Sequence, residues 1–157
     1  MTPQTRRTRR ILGLDFGLKR IGVAVGNTDT RTAQAVSTVT ARDGVPDWPQ
    51  LQKQIQSWLP GLLVVGLPVN MDGSEGAMAR RARAFGRKAG GRFGLKVVFV
   101  DERLTTRAAE QLLQTAAAGN RQPAAKRARK RDNLAAELIV LAYLTEWAQS
   151  AGQRADV

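Results

Sequence analysis

The chain has 157 residues, 43% of them hydrophobic, which is the size of one ordinary domain able to bury a core without staples. It holds no cysteine and no histidine, so thiol nucleophiles, disulfides, structural zinc and imidazole bases are excluded. Lysine and arginine number 25 against 13 aspartates and glutamates, and this formal charge of +12 points to a polyanionic partner.

Residues 1–9 carry arginines but no apolar stretch of the kind a secretory signal needs, and no later run reaches the length of a membrane span. A soluble, cytoplasmic protein with a flexible basic tail is the expectation. "RILGLDF" (10–16) and "IGVAVGN" (21–27) read as strands joined by the break "GLKR", and a third strand falls within "AQAVSTVTA" (33–41), making an antiparallel meander. Leu51, Ile55, Trp58 and Leu59 recur at helical spacing on one face. "LLVVGLP" (62–68) is a short, continuous apolar run suited to a strand covered on both faces. A basic helix then begins near Ser74 and frays into the glycines around 90. "KVVFV" (96–100) is a further buried strand, and "TTRAAEQLLQTAAAG" is a helix closed by Gly119. The last helix, 132–148, presents Leu134, Leu138, Leu141 and Ala142 as its apolar face, and residues 149–157 read as a second flexible tail. Strands alternating with helices in the second half predict an α/β domain over 10–148, with a parallel sheet portion flanked by helices on both faces.

Acids fall at the ends of these elements. Asp15 ends the first strand, Asp101 and Glu102 follow "KVVFV", and Asp132 opens the last helix. Strand ends in one sheet approach each other, and a helix packed on that sheet brings its first turn to the same edge. A carboxylate cluster without histidine is a hard-oxygen site, suited to Mg²⁺ or Mn²⁺, and two such ions support phosphodiester hydrolysis. Each acid has a plainer alternative: Asp132 as a helix N-cap, Asp101 paired with Arg103 or capping a turn, and Glu102 solvated in a loop. Asp15, in an apolar run, has no obvious local job. The cations Lys126, Arg127, Arg129, Lys130 and Arg131 immediately precede Asp132; such a run is usually just a solvated segment, but beside an acid cluster it could instead hold phosphates flanking a cut, and Arg80, Arg81, Arg83, Arg87, Lys88 and Arg92 add a second basic surface.

"LGLDFGLKRIGVAVGN", "VVGLPVNMDGSEG", "VFVDERLTTRAAE" and "KRDNLAAELIVLAYL" together resemble the YqgF/RuvX family, a bacterial branch of the RNase H-like superfamily related to the Holliday-junction resolvase RuvC. The resemblance covers about Arg10 to Trp147. It implies an RNase H-like fold with a mixed five-stranded sheet in order 3-2-1-4-5. It also implies that Asp15, Glu102 and Asp132 are the catalytic, metal-holding acids, with Asp101 beside them, and that Lys19 and Arg20 lie next to the metal site. Asn70, Gly73 and Ser74 of the glycine-rich loop, together with Arg103 and the 126–131 cations, complete the expected substrate-binding set. The implied activity is a metal-dependent nuclease in 5′-end maturation of pre-16S ribosomal RNA, with RNA as the favoured partner and the protein a monomer or homodimer. A Holliday junction resolvase uses the same acids. Two further alternatives stand: a non-catalytic RNA-binding assembly factor, and a nucleotide-binding phosphotransferase of the actin, hexokinase and Hsp70 type, which clasps ATP between two domains where this chain has length for one.

Overall fold

The computed structural model describes residues 10–105 and 134–154, with side chains through residue 147. β1 (Arg10–Asp15), β2 (Arg20–Asn27) and β3 (Thr32–Arg42) form the expected antiparallel meander. β5 (Leu62–Leu67) then pairs parallel to β1, and β6 (Lys96–Asp101) parallel to β5. Those five strands follow the anticipated order. A sixth strand, the two-residue β4 (Val45–Pro46), extends the sheet beyond β3, giving the order β4-β3-β2-β1-β5-β6. Its turn is Asp43-Gly44, both at positive φ (49° and 83°), the backbone of a tight hairpin that aspartate and glycine accept.

The buried residues of β1 run without a break because the sheet is covered on both sides. Leu12 and Leu14 of β1, with Leu63 and Val65 of β5, face α1 (Trp48–Trp58) and α2 (Ala77–Phe93), and pack on Leu51, Ala82, Phe85 and Ala89. Ile11, Leu62 and Val64 point the other way, onto α3 (Leu134–Arg154). β5 is thus covered on both faces, and all six of its residues are buried.

Three expectations about helices are corrected. Leu59 does not share the buried face of α1. It is the left-handed C-cap (φ 49°), 63% exposed, because Pro60 cannot continue the helix. α2 does not fray at its glycines: Gly86 and Gly90, four apart, form its closest contact with the sheet, where a Cβ would fall 2.7 Å from the Phe99 ring and 2.5 Å from Val97. The helix ends only at Gly94, φ 64°. The contact stripe of α3 is also shifted from the expected leucines. Ala136, Ile139, Val140, Ala142 and Leu144 are buried, while Leu134 is 39% exposed and Leu138 and Leu141 are half-buried. The reason lies in the sheet, where Gly13, Gly26 and Gly66 leave gaps filled by Val140 and Ile139. The helix expected over 105–119 lies beyond residue 105, outside the described residues.

A Cβ at Gly13 would stand 2.3 Å from Val140 Cγ2 and 3.1 Å from the Ala136 carbonyl oxygen. Gly13→Ala is therefore expected to cost about 1–3 kcal/mol, read as a lower urea midpoint. An unchanged midpoint would mean that α3 does not sit this close to β1.

Candidate active site

β1, β5 and β6 run parallel, so their C-terminal ends share one edge of the sheet, where the acids and loops of interest gather. Asp15 is the last residue of β1, opposite Gly22 of β2 and one step beyond the last β1–β5 pair, Leu14–Val65. It has the same parity as Ile11 and Gly13, whose neighbours are on α3, so its side chain belongs to the α3 face. Glu102 opens a 3-10 turn, Glu102–Leu104, directly after β6. Its carboxylate reaches back over Gly66 of β5, where a Cβ would lie 2.9 Å from Oε1 and 2.5 Å from Ile139. Gly66 thus makes the space that Glu102 occupies on the same face.

Neither carboxylate is stabilised by a partner among the described residues. Burial pushes the Asp15 pKa up from its ordinary value. Glu102 is also raised, first by burial and then by the negative charges of Asp15 and Asp101. Two half-buried acids within electrostatic reach of one another oppose each other's ionisation, and a cation between them removes that opposition.

Asp101, one residue away, is in the opposite situation. Arg103 binds it through Nε (2.8 Å to Oδ2) and Nη2 (2.5 Å to Oδ2), and the Arg103 backbone N–H donates to Oδ1 at 2.9 Å. These contacts hold the Asp101 carboxyl below its ordinary value. This is the pairing that its sequence neighbour allowed. Arg103 also donates from Nη1 to the Met71 carbonyl oxygen, 3.3 Å, and so ties the loop after β5 to the end of β6.

That loop is internally bonded. Val69 bridges Glu75, the Asn70 N–H donates to the Ser74 carbonyl, and Asp72 Oδ1 accepts from both the N–H and the hydroxyl of Ser74. Asn70 Nδ2 donates to Ser74 Oγ at 3.0 Å, and Gly73 turns the chain at φ 90°. Asn70, Gly73 and Ser74 therefore shape the loop with their own polar groups. Lys19 and Arg20, both exposed, lie in and just after the hairpin that follows Asp15, on the same edge. Asp132 and the cations Lys126, Arg127, Arg129, Lys130 and Arg131 lie outside the described residues, and among the described residues no three acids, histidines or cysteines gather as a metal site.

The basic face of α2 has structural work of its own. Arg83 pairs with Glu75 (2.8 Å) and lies over the Phe99 ring, Arg81 donates to the Asp43 carbonyl, and Lys88 and Arg92 cover Trp48. The residue that sequence reasoning passed over is Gly66. A glycine inside an otherwise apolar strand is the available signal, since it marks close approach by another group.

A mixed sheet in this order, covered by helices on both faces and carrying acids at the ends of β1 and β6, is an RNase H-like fold, and solved structures share it. RuvC of Thermus thermophilus matches with a TM-score of 0.58, at 15% identity over 90% of this chain and 96% of that one. The yeast mitochondrial Holliday junction resolvase Ydc2 matches at 0.52 and 11% identity, over 94% and 84%. The RuvX family profile, described as Holliday junction resolvase, matches residues 9–146, and the chain belongs to that family. A protein of Chromohalobacter salexigens is 47% identical over 139 residues, 88% of this chain and 90% of its own length. A Coxiella burnetii protein is 49% identical over 135 residues, 86% and 92%. Both relatives carry the name "Putative pre-16S rRNA nuclease".

Because the folded-state pKa of Asp15 is raised, its contribution to stability is complete below the ordinary value of 3.8 and is lost as pH rises through the folded value. Asp15→Asn removes that loss. In cation-free buffer the variant is expected to melt above the parent at pH 7, with the difference shrinking as the pH falls toward 3.8. A variant that melts below the parent at pH 7 contradicts this account.

Proposed function

We propose that the chain is a divalent-cation-dependent nuclease that hydrolyses phosphodiester bonds in precursor 16S ribosomal RNA. The observation carrying the proposal is the pairing of Asp15 and Glu102, two half-buried carboxylates at one sheet edge with raised pKa values. An enzyme tolerates such a pair where its charge is used, and structural carboxylates are ordinarily satisfied as Asp101 is. The names of the relatives supply the substrate. The charge of +12 suits a phosphate-rich one. No described helix is long and apolar enough to cross a membrane.

The donor set fits Mg²⁺ or Mn²⁺, because it is all oxygen and the two described acids are short of positive charge. Asp15 and Glu102 would hold the ions, with Asp132 as third acid. When bound, two ions supply an activated water and charge stabilisation for the leaving oxygen. The remaining work belongs to the chain. Lys19 and Arg20 bring cations to the phosphate beside Asp15, and the 126–131 cations hold the strand on either side of the cut. Arg103 acts through Asp101 and the Met71 carbonyl, keeping the Asn70–Ser74 loop against the end of β6.

A second reading, resolution of four-way DNA junctions, is favoured by the description of the family profile. Both readings predict loss of Mg²⁺- or Mn²⁺-dependent cleavage in Asp15→Asn and Glu102→Gln with nucleic-acid binding retained. Loss of an outer partner of a metal site costs about 10–100-fold, and loss of an acid itself is expected to cost more. Full cleavage by either variant, or by the parent in EDTA, rejects the proposal. Parallel assays on precursor RNA and on a four-way junction, with sedimentation to detect a junction-bound dimer, separate the two substrates.

A further inference from the structure

Phe16 follows Asp15 in the chain but turns to the other face of the sheet, where it packs on Phe85 of α2 with ring centroids 5.2 Å apart. Beside it, the turn into β4, the first residue of α1 and one flank of α2 border a single cavity of about 210 Å³. Phe16, Val45, Trp48 and Phe85 give it apolar walls, and Arg81, Ala84 and Lys88 line it along α2. Those last three recur at helical spacing, so one stripe of α2 sets a small side chain between two cations. Gly44 keeps the space between a guanidinium and a ring clear: a Cβ there would stand 2.6 Å from Arg81 Nη2 and 3.2 Å from Phe16 Cζ.

The cavity lining holds two cations and no acid. Arg81 is partly neutralised, since it donates to the Asp43 carbonyl and the exposed Asp43 carboxylate stands 4.0 Å away. Lys88 is not. Its partner among the described residues is the neutral ring of Trp48, 5.9 Å from Nζ, which Arg92 also covers at 4.8 Å. An aromatic-walled hole thus has an uncancelled positive charge at its side.

An apolar protein side chain would fill the hole and leave Lys88 unanswered. The occupant that answers both joins a flat ring to an anion within one residue, as a nucleotide does. Size limits it to one ring system, because the cavity falls below the roughly 300–1,000 Å³ of sites for drug-sized ligands. A base enters such a hole only after leaving its stack. Position favours a strand over a free nucleotide: Phe16 lines the cavity and Asp15 is the adjacent residue, with Cα atoms about 3.8 Å apart. A strand whose phosphate lies at Asp15 has neighbouring nucleotides on this side of the sheet edge.

We propose that the cavity is a subsite for one unstacked base of the substrate strand near the scissile phosphate, with Lys88 holding the phosphate of that nucleotide. This rests on the nuclease reading and specifies its substrate class as a strand with an unpaired nucleotide beside the cut. Apolar walls accept any base, so the subsite selects structure rather than sequence.

The test uses the full chain and a single-stranded RNA whose cut position has been mapped with the parent. Ala84 is exposed, so Ala84→Leu fills the cavity from the helix surface, and its melting temperature is expected to match the parent's. In EDTA, Ala84→Leu and Lys88→Gln are each expected to bind that RNA roughly five- to tenfold more weakly than the parent. With Mn²⁺ present, Ala84→Leu is expected to raise KM while kcat holds, the pattern of binding lost equally in ground and transition states. Single abasic positions scanned along the RNA are expected to weaken binding by the parent at one site near the cut, and to leave Ala84→Leu insensitive there. Equal binding by parent and Ala84→Leu, or an abasic scan that the variant does not alter, overturns the inference and leaves the nuclease reading intact. Tighter binding of free adenosine monophosphate than of the RNA, lost in Ala84→Leu, overturns it in favour of a free nucleotide. The same result with a peptide of alternating aspartate and tyrosine overturns it in favour of a protein partner. A parent that neither binds nor cuts RNA removes both the subsite and the nuclease reading.

Discussion

The architecture depends on how closely α3 lies on the sheet. Gly13 of β1, Gly26 of β2 and Gly66 of β5 lie on three adjacent strands, and a Cβ at any of them would fall within 2.5 Å of a Val140 or Ile139 carbon. No real side chain is accommodated at such a distance, so the absence of three Cβ atoms sets the seat of the helix. The same gaps explain why Ile139 and Val140, rather than Leu138 and Leu141, are fully buried in α3. Gly86 and Gly90 repeat the device on the opposite face, where α2 meets Phe99 and Val97 of β6.

Close seating has a chemical consequence at one edge. Gly66 admits Ile139 from the helix and Glu102 from the turn after β6 into the same space, which buries part of the Glu102 carboxylate and brings it within reach of the Asp15 charge. Adjacent acids in the sequence thereby acquire opposite characters. Asp101, gripped by Arg103, keeps its charge readily and clips the Met71 loop through that arginine. Glu102, desolvated and facing another carboxylate, has its pKa pushed above the ordinary value. The fold spends stability at Asp15 and Glu102, as active sites commonly do, and recovers it in a core that covers both faces of β5.

Most of the architecture was legible in the sequence because apolar periodicity reports burial directly: the meander, the fully buried "LLVVGLP" run and the parallel strands all follow from it. β4 was passed over, although Asp43-Gly44 carries a strong hairpin signal, because two residues leave no periodicity to read. Of the expected α3 face Ala142 is buried, but Leu134, Leu138 and Leu141 are not fully so, because apolar spacing reports hydrophobicity whereas the glycines in the facing strands decide which side chains fit. Leu59 fell on the predicted helical face but follows the last helical residue, where spacing no longer applies. At the site, Asp15 was legible as an acid without a local partner. The separate roles of Asp101 and Glu102 were not, because they depend on which way each carboxylate turns at the end of β6.

Under the proposed function, Asp15 and Glu102 form one cation-dependent unit. The most direct measurement is the melting temperature of the full chain at pH 7 as Mn²⁺ is titrated in. A ligand bound only by the folded state stabilises it by about 2.7 kcal/mol at one hundred times its Kd. The account predicts a rising melting temperature for the parent that saturates, and curves that stay flat for Asp15→Asn and for Glu102→Gln. A parent that does not respond, or a response of equal size in all three proteins, contradicts it.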